Sequence, residues 1–204
     1  MLAPVLVTPP ASLPVTLDEA KLHLRVAVPN EDGTMPETDE DGLITALIEA
    51  AVSHLDGWTG ILGRALVEQT WRQDFDGFGS CMRLPLGPVT EIVSITWRND
   101  EGEIATIAAS NYALRTDSRG AIVQWDRSYS FPSPVYEHGG VSVTYKAGYP
   151  EVDGLSTVPA AIKAAILLMV GTWFDNREAT VSTSISELPF AVNALISPFR
   201  RMTV

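Results

Sequence analysis

A change of hydrophobic period divides this chain and limits what it can fold into. From about Leu66 to Tyr149 apolar and polar residues alternate; on either side apolar residues recur every three or four positions. Alternation needs strands of an antiparallel sheet with one face buried, and the flanks need amphipathic helices. At 204 residues the chain has material for one domain or two small ones. The pattern therefore predicts an α+β fold. N- and C-terminal helices pack together as a helical bundle, an inserted small antiparallel β-domain interrupts them, and a C-terminal extension follows. The expected parts are 1–64 (N-terminal helical part), 65–150 (inserted β-rich domain), 151–178 (core helix) and 179–204 (extension).

Within the β-rich block, Val67, Gln69, Trp71, Gln73 and Phe75 share one strand face, and Glu68, Thr70, Arg72 and Asp74 share the other. Val89, Glu91, Val93, Ile95 and Trp97 repeat the alternation with Glu91 as a charged intruder. Asn99–Gly102 reads as a hairpin turn into a strand near 103–107. Asp117–Gly120 joins Tyr112–Arg115 to Ala121–Trp125, Val141–Tyr145 makes a last strand, and 128–140 is a long loop. A small sheet or a barrel would satisfy this pattern.

In the helical flanks, Thr16-Leu-Asp-Glu19 is a capping box that starts a short helix, and Pro29 stops its pattern. A second helix runs from about Asp39 to Leu55, closed by Gly57 and Gly60. Gly57-Trp-Thr-Gly60-Ile-Leu-Gly63 is not a dinucleotide fingerprint, because no strand precedes it. A third helix follows Pro159. It is apolar nearly all round from Ile162 to Phe174, as a central core helix should be.

Charge narrows the function. Fourteen Lys and Arg against 25 Asp and Glu leave a net charge of −11. Nucleic-acid affinity comes from neutralising phosphates, and anionic membranes attract cations, so such a surface should grip neither. Six acids and no base lie in the loop 30–42 (Glu31, Asp32, Glu37, Asp39, Glu40, Asp41), without the ligand spacing of an EF-hand. A solvated loop is the plain reading, an ion site or docking patch the sharper one. The lone Cys81 cannot form an internal disulfide. The N-terminus lacks a basic region and is broken by prolines, unlike a secretory signal, and the apolar run 160–174 carries Lys163. The expectation is a soluble chain of cytoplasmic origin.

Nothing in the residues points to catalysis. His23, His54 and His138 lie in three separate contexts, no Gly-x-Ser-x-Gly elbow or phosphate loop occurs, and no His/Cys pair has zinc spacing. No enzyme, cofactor or metal is expected. A hydrolase dependent on His138 is the residual alternative. A second is a sugar- or peptide-binding β-domain using Trp125, Tyr129, Phe131 and Tyr136, against which stands simple packing of these rings under the long loop.

The C-terminus is more informative. A Ser/Thr-rich stretch, 179–187, leads to a separate apolar and then basic segment: Leu188, Phe190, Val192, Leu195, Ile196, Phe199, Arg200 and Arg201. Leu188, Val192, Leu195 and Ile196 suit one face of a short helix. That helix either packs back on its own core or docks in a partner's groove, with the arginines pairing acids there.

Several stretches together resemble the tailed-phage head–tail connector (portal adaptor) family, which includes the adaptors of prophage-derived gene transfer agents. They are Thr16-Leu-Asp-Glu-Ala-Lys-Leu-His-Leu-Arg25, Asp41-Gly-Leu-Ile-Thr-Ala-Leu-Ile48 with Ala50-Ala51, Gln69-Thr-Trp71, Leu84-Pro85 with Pro88-Val89, Tyr145-Lys-Ala-Gly-Tyr149, Val158-Pro159 with Ile162-Lys163, Trp173-Phe-Asp-Asn-Arg-Glu178, and Leu188-Pro189 with Leu195-Ile-Ser-Pro-Phe-Arg200. The resemblance implies a structural protein at the head–tail junction of a virion or gene-transfer-agent particle, assembled in the bacterial cytoplasm. It implies a ring, usually of twelve copies, between a portal protein and a neck or tail protein (stopper or tail terminator). DNA passes through without sequence-specific binding, and no membrane is involved. By the same resemblance the extension, Leu188 to Arg201, reaches the portal. The excess of acids would then keep the channel from gripping DNA.

Overall fold

The computed structural model describes residues 2–176 and 190–201. The stretch 179–187 and Leu188 lie outside them.

The first helix, α1 (Leu17–Leu24), starts as its capping box requires: Thr16 Oγ1 accepts from the Glu19 N–H at 3.1 Å, and Glu19 Oε2 accepts from the Thr16 N–H at 2.8 Å. It ends before Pro29. Arg25 turns left-handed at φ 57°, so its N–H reaches the Leu22 carbonyl and the Val26 N–H reaches that of Lys21, closing the helix with two bonds. Helix α2 (Asp41–Leu55) buries Ile44, Ile48, Ala51 and Leu55. Helix α3 (Ala160–Asp175) buries Ile162, Ala165, Ile166, Met169 and Val170, and packs on both. Its other apolar residues, among them Leu167, Leu168, Trp173 and Phe174, are half-buried. The helix is therefore central on one side only. A short fourth helix, α4 (Phe190–Ile196), and a 3₁₀ turn (Ser197–Phe199) complete the bundle against α3.

All strand pairs are antiparallel. In chain order the strands are β1 (Val5–Thr8), β2 (Gln69–Phe75), β3 (Met82–Arg83), β4 (Val89–Arg98), β5 (Ile104–Thr106), β6 (Tyr112–Asp117), β7 (Gly120–Trp125), β8 (Val141–Ala147), β9 (Glu151–Val152) and β10 (Leu155–Ser156). One sheet has the order β1-β2-β8-β4-β5, a second β3-β7-β6, and β9-β10 is a hairpin. The two larger sheets enclose one apolar core that includes Trp71, Phe75, Ile95, Val141, Val143 and Tyr145 from the first, and Met82, Ala121 and Val123 from the second. This is α+β architecture, and among the described residues no barrel closes. The helices share a separate core around Ile48, Leu55, Ile162 and Ile166.

The faces of β2 follow the sequence pattern: Gln69, Trp71, Gln73 and Phe75 point inward. Those of β4 do not. Register shifts after Val89 and after Ile92 put Ile92, Ile95 and Trp97 opposite buried Tyr145, Val143 and Val141. Val93 is left exposed, and Glu91 faces out to pair with Lys146 at 3.1 Å. Each bulge moves the following side chains to the other face, so the supposed charged intruder is a surface residue. β1, β3 and the β9-β10 hairpin lie outside the strands that the sequence pattern predicts. β1 adds an exposed edge to β2. The β9-β10 hairpin turns at Asp153-Gly154, both at positive φ, a signal that was legible.

Where the sheet returns to the helices, Gly148 sits at φ +116°, and a Cβ there would lie 2.2 Å from the Val67 carbonyl oxygen. Only glycine allows that approach. Asp56 bridges the same junction: its carboxylate accepts from the Leu66 N–H at 2.6 Å and from Gln69. Burial pushes the Asp56 carboxyl up, opposed by those hydrogen bonds.

Candidate functional site

The C-terminal segment is seated rather than free. Val192 and Ile196 are fully buried in the helical core beside Leu62 and Leu66, and Leu195 and Phe199 pack against it. The apolar spacing of this short helix is satisfied by the chain's own bundle, because burying two β-branched residues offsets part of the cost of ordering about two turns of helix. Of the predicted site residues, Phe190 is 89% exposed and Arg200 is exposed, donating to Asn193 Oδ1 at 2.9 Å. Arg201 is half-buried. Its backbone N–H donates to the Leu62 carbonyl at 2.9 Å and its Nη2 to the Leu84 carbonyl at 3.1 Å. The segment is thus stitched both to the loop after α2 and to the β-module, with the Arg64 guanidinium donating to the Phe199 carbonyl.

This seating assembles a groove no local motif announces. About 530 Å³ in volume, it lies where the β6-β7 hairpin faces the C-terminus, and Arg64, Arg119, Arg200 and Arg201 line it. Among the described residues none of these four has a carboxylate within ion-pair distance. The one acid in the lining, Asp117, is already bound two-pronged by Arg83 at 2.8 and 2.6 Å. That guanidinium, with the Arg119 N–H, holds the Asp117 carboxyl well below the usual carboxylate range. Burial lowers the Arg201 pKa, and the nearby Arg83 and Arg64 add to the shift. Sequence reasoning reached Arg200 and Arg201 but not Arg64 and Arg119, which only folding brings beside them.

The other candidates stay apart. His23, His54 and His138 are all exposed on different elements, and no cluster able to hold a metal occurs among the described residues. Cys81 is free and exposed. Trp125 stacks on Tyr129 at 5.6 Å and meets Phe78, Tyr112 and Phe131 edge-on, while its Nε1 donates to the Gly79 carbonyl. These rings form a cluster with one another under the long loop. Tyr136 lies apart, under the Arg98 guanidinium. No described helix is long and apolar enough to cross a membrane.

An N-terminal pair of helices, a two-sheet module and a returning core helix make up an α+β fold. Solved structures carry the same fold from end to end. A chain in the virion of a native gene transfer agent particle superposes with a TM-score of 0.73 at 21% identity, covering 100% of this chain and 97% of that one. A chain in the neck of an empty gene transfer agent particle, computed with C6 symmetry, gives 0.74 at 21% identity over the same shares. One in the neck of the native particle, computed with C12 symmetry, gives 0.64 at 19% identity over 97% of each chain. No family model matches the sequence, and no curated protein matches it.

Proposed function

We propose that this protein is a structural, non-enzymatic head–tail connector of a phage or phage-like particle. It forms a ring of about twelve copies between a portal protein and the neck or tail, around the DNA channel. The observation that carries this reading is the superposition of the whole chain, helices and β-module together, on neck chains of a gene transfer agent particle. The C12 symmetry of one of those necks supports the copy number for this chain. The excess of acids fits a passage that lets DNA slide, since self-repulsion from phosphates replaces grip.

Within this reading the C-terminal segment meets the portal through its outer side. Phe190 and Arg200 supply the contact, Leu195, Phe199 and Arg201 flank it, and Val192 and Ile196 anchor the segment from within. The test is imaging by negative stain of the protein mixed with capsids that carry a portal but no tail. Added density at a single vertex is expected; its absence at saturating protein sinks the connector reading.

A further inference from the structure

We infer that the arginine groove receives the acidic α1–α2 loop of a second copy of this chain, and that this head-to-tail contact is one joint of the assembly. The inference rests on the ring reading above, because a ring needs two different surfaces on each subunit that fit one another.

Four arginines line the groove; Arg64, Arg200 and Arg201 each donate to a neutral oxygen, none of the four is ion-paired to a carboxylate among the described residues, and the one acid in the lining is spent on Arg83. An occupant must therefore be anionic, and more than singly so. The chain itself carries such a group. In the loop between α1 and α2, Glu31, Glu37 and Asp39 are exposed and, among the described residues, have no hydrogen-bonding or ion-pair partner. The rest of the loop is held in shape. Asp32 caps the Thr34 N–H at 3.0 Å, and the buried Lys21 ammonium donates to the Pro36 carbonyl and to Asp41. An acidic face on a pre-ordered loop loses less entropy on docking than a floppy one.

Geometry forbids the pairing within one chain. The loop feeds the N-terminal end of α2, whereas Arg64 lies just past its C-terminal end, where the Gly57 N–H bonds the Arg64 carbonyl. Fifteen residues of helix separate the two by about 22 Å. Opposite charges at opposite ends of one rigid rod attract between molecules and, repeated, give a directional chain or ring. Filling the groove this way also hides its arginines from passing DNA, which accounts for a basic site in a protein that should not hold phosphate.

The test is sedimentation velocity on the full chain at low salt (about 20 mM) and high salt (about 0.5 M). Wild type should associate at low salt and dissociate at high salt. R119E/R200E and E31K/E37K/D39K should each weaken self-association by about tenfold or more. Mixing the two variants should restore pairing, since the unaltered groove of one then meets the unaltered acidic loop of the other. All five positions are exposed, so both variants fold. A monomeric wild type at low salt, or a mixture that fails to recover, overturns the inference. So does tight binding of a short DNA duplex that is lost in R119E/R200E while association persists, for the groove would then belong to phosphate. Binding to portal-bearing capsids is read separately and on the wild-type chain, because R200E also alters the proposed portal contact. Its failure with charge-swap rescue intact would sink the connector reading and leave this contact standing.

Discussion

Truncating Ile196 to alanine tests whether the C-terminal helix is part of the fold or a detachable arm. Ile196 is fully buried, sharing its core with Leu62, Leu66 and Val192. The substitution removes three carbons, worth about 2.4 kcal/mol of transfer free energy at roughly 0.8 kcal/mol each. The space left between α3 and α4 adds a cavity penalty, which brings the expected loss to about 3–4 kcal/mol. For a chain of this length that corresponds to a fall in Tm of roughly 6–16 °C. Thermal unfolding followed by helical circular dichroism, with urea unfolding for the free energy, measures it. If I196A costs under about 1 kcal/mol and Tm hardly moves, α4 contributes little to the native state, and the argument that self-packing holds the segment fails.

Phe190→Ala is the complementary change: at 89% exposure it should shift stability by no more than about 0.5 kcal/mol yet reduce binding to portal-bearing capsids. Equal capsid binding by F190A and wild type would remove Phe190 from the proposed contact. Gly148→Ala forces a methyl to within 2.2 Å of the Val67 carbonyl oxygen at a positive φ, and should cost at least about 2 kcal/mol, visible as lost soluble yield or lowered Tm. Asp41→Asn probes acid stability. The Lys21 ammonium, then Thr38, lower the Asp41 pKa, so its support is present above the unfolded value of about 3.9 and is lost as pH falls through the folded value. In urea titrations D41N should be weaker than wild type near neutrality, with the gap closing as pH falls below the ordinary carboxylate range; a gap independent of pH would contradict the linkage.

The sequence by itself determined the features that depend on near neighbours. The capping box at Thr16, the inward face of β2, the Asp117–Gly120 turn and the helical periods of α2 and α3 are set within a few residues, and they fold as read. The helix–sheet–helix order follows from them. The Asp153-Gly154 turn is equally local, both residues lying at positive φ. Tertiary structure decided what depends on distant partners. The two bulges in β4 arise from matching its apolar residues to β8, so neither strand's pattern shows them alone. β1 becomes a strand only because β2 offers an open edge. The apolar spacing of 190–199 was compatible with docking on a partner or on its own core, and the space between α3 and the loop at Leu62 filled it from within. The arginine groove is the clearest case. Arg64, Arg119, Arg200 and Arg201 come from three widely separated stretches, and like charges gather there because packing of the apolar segments around them outweighs their mutual repulsion in water. A net charge counts acids and bases without regard to position, whereas recognition depends on which of them the fold brings within reach of one another.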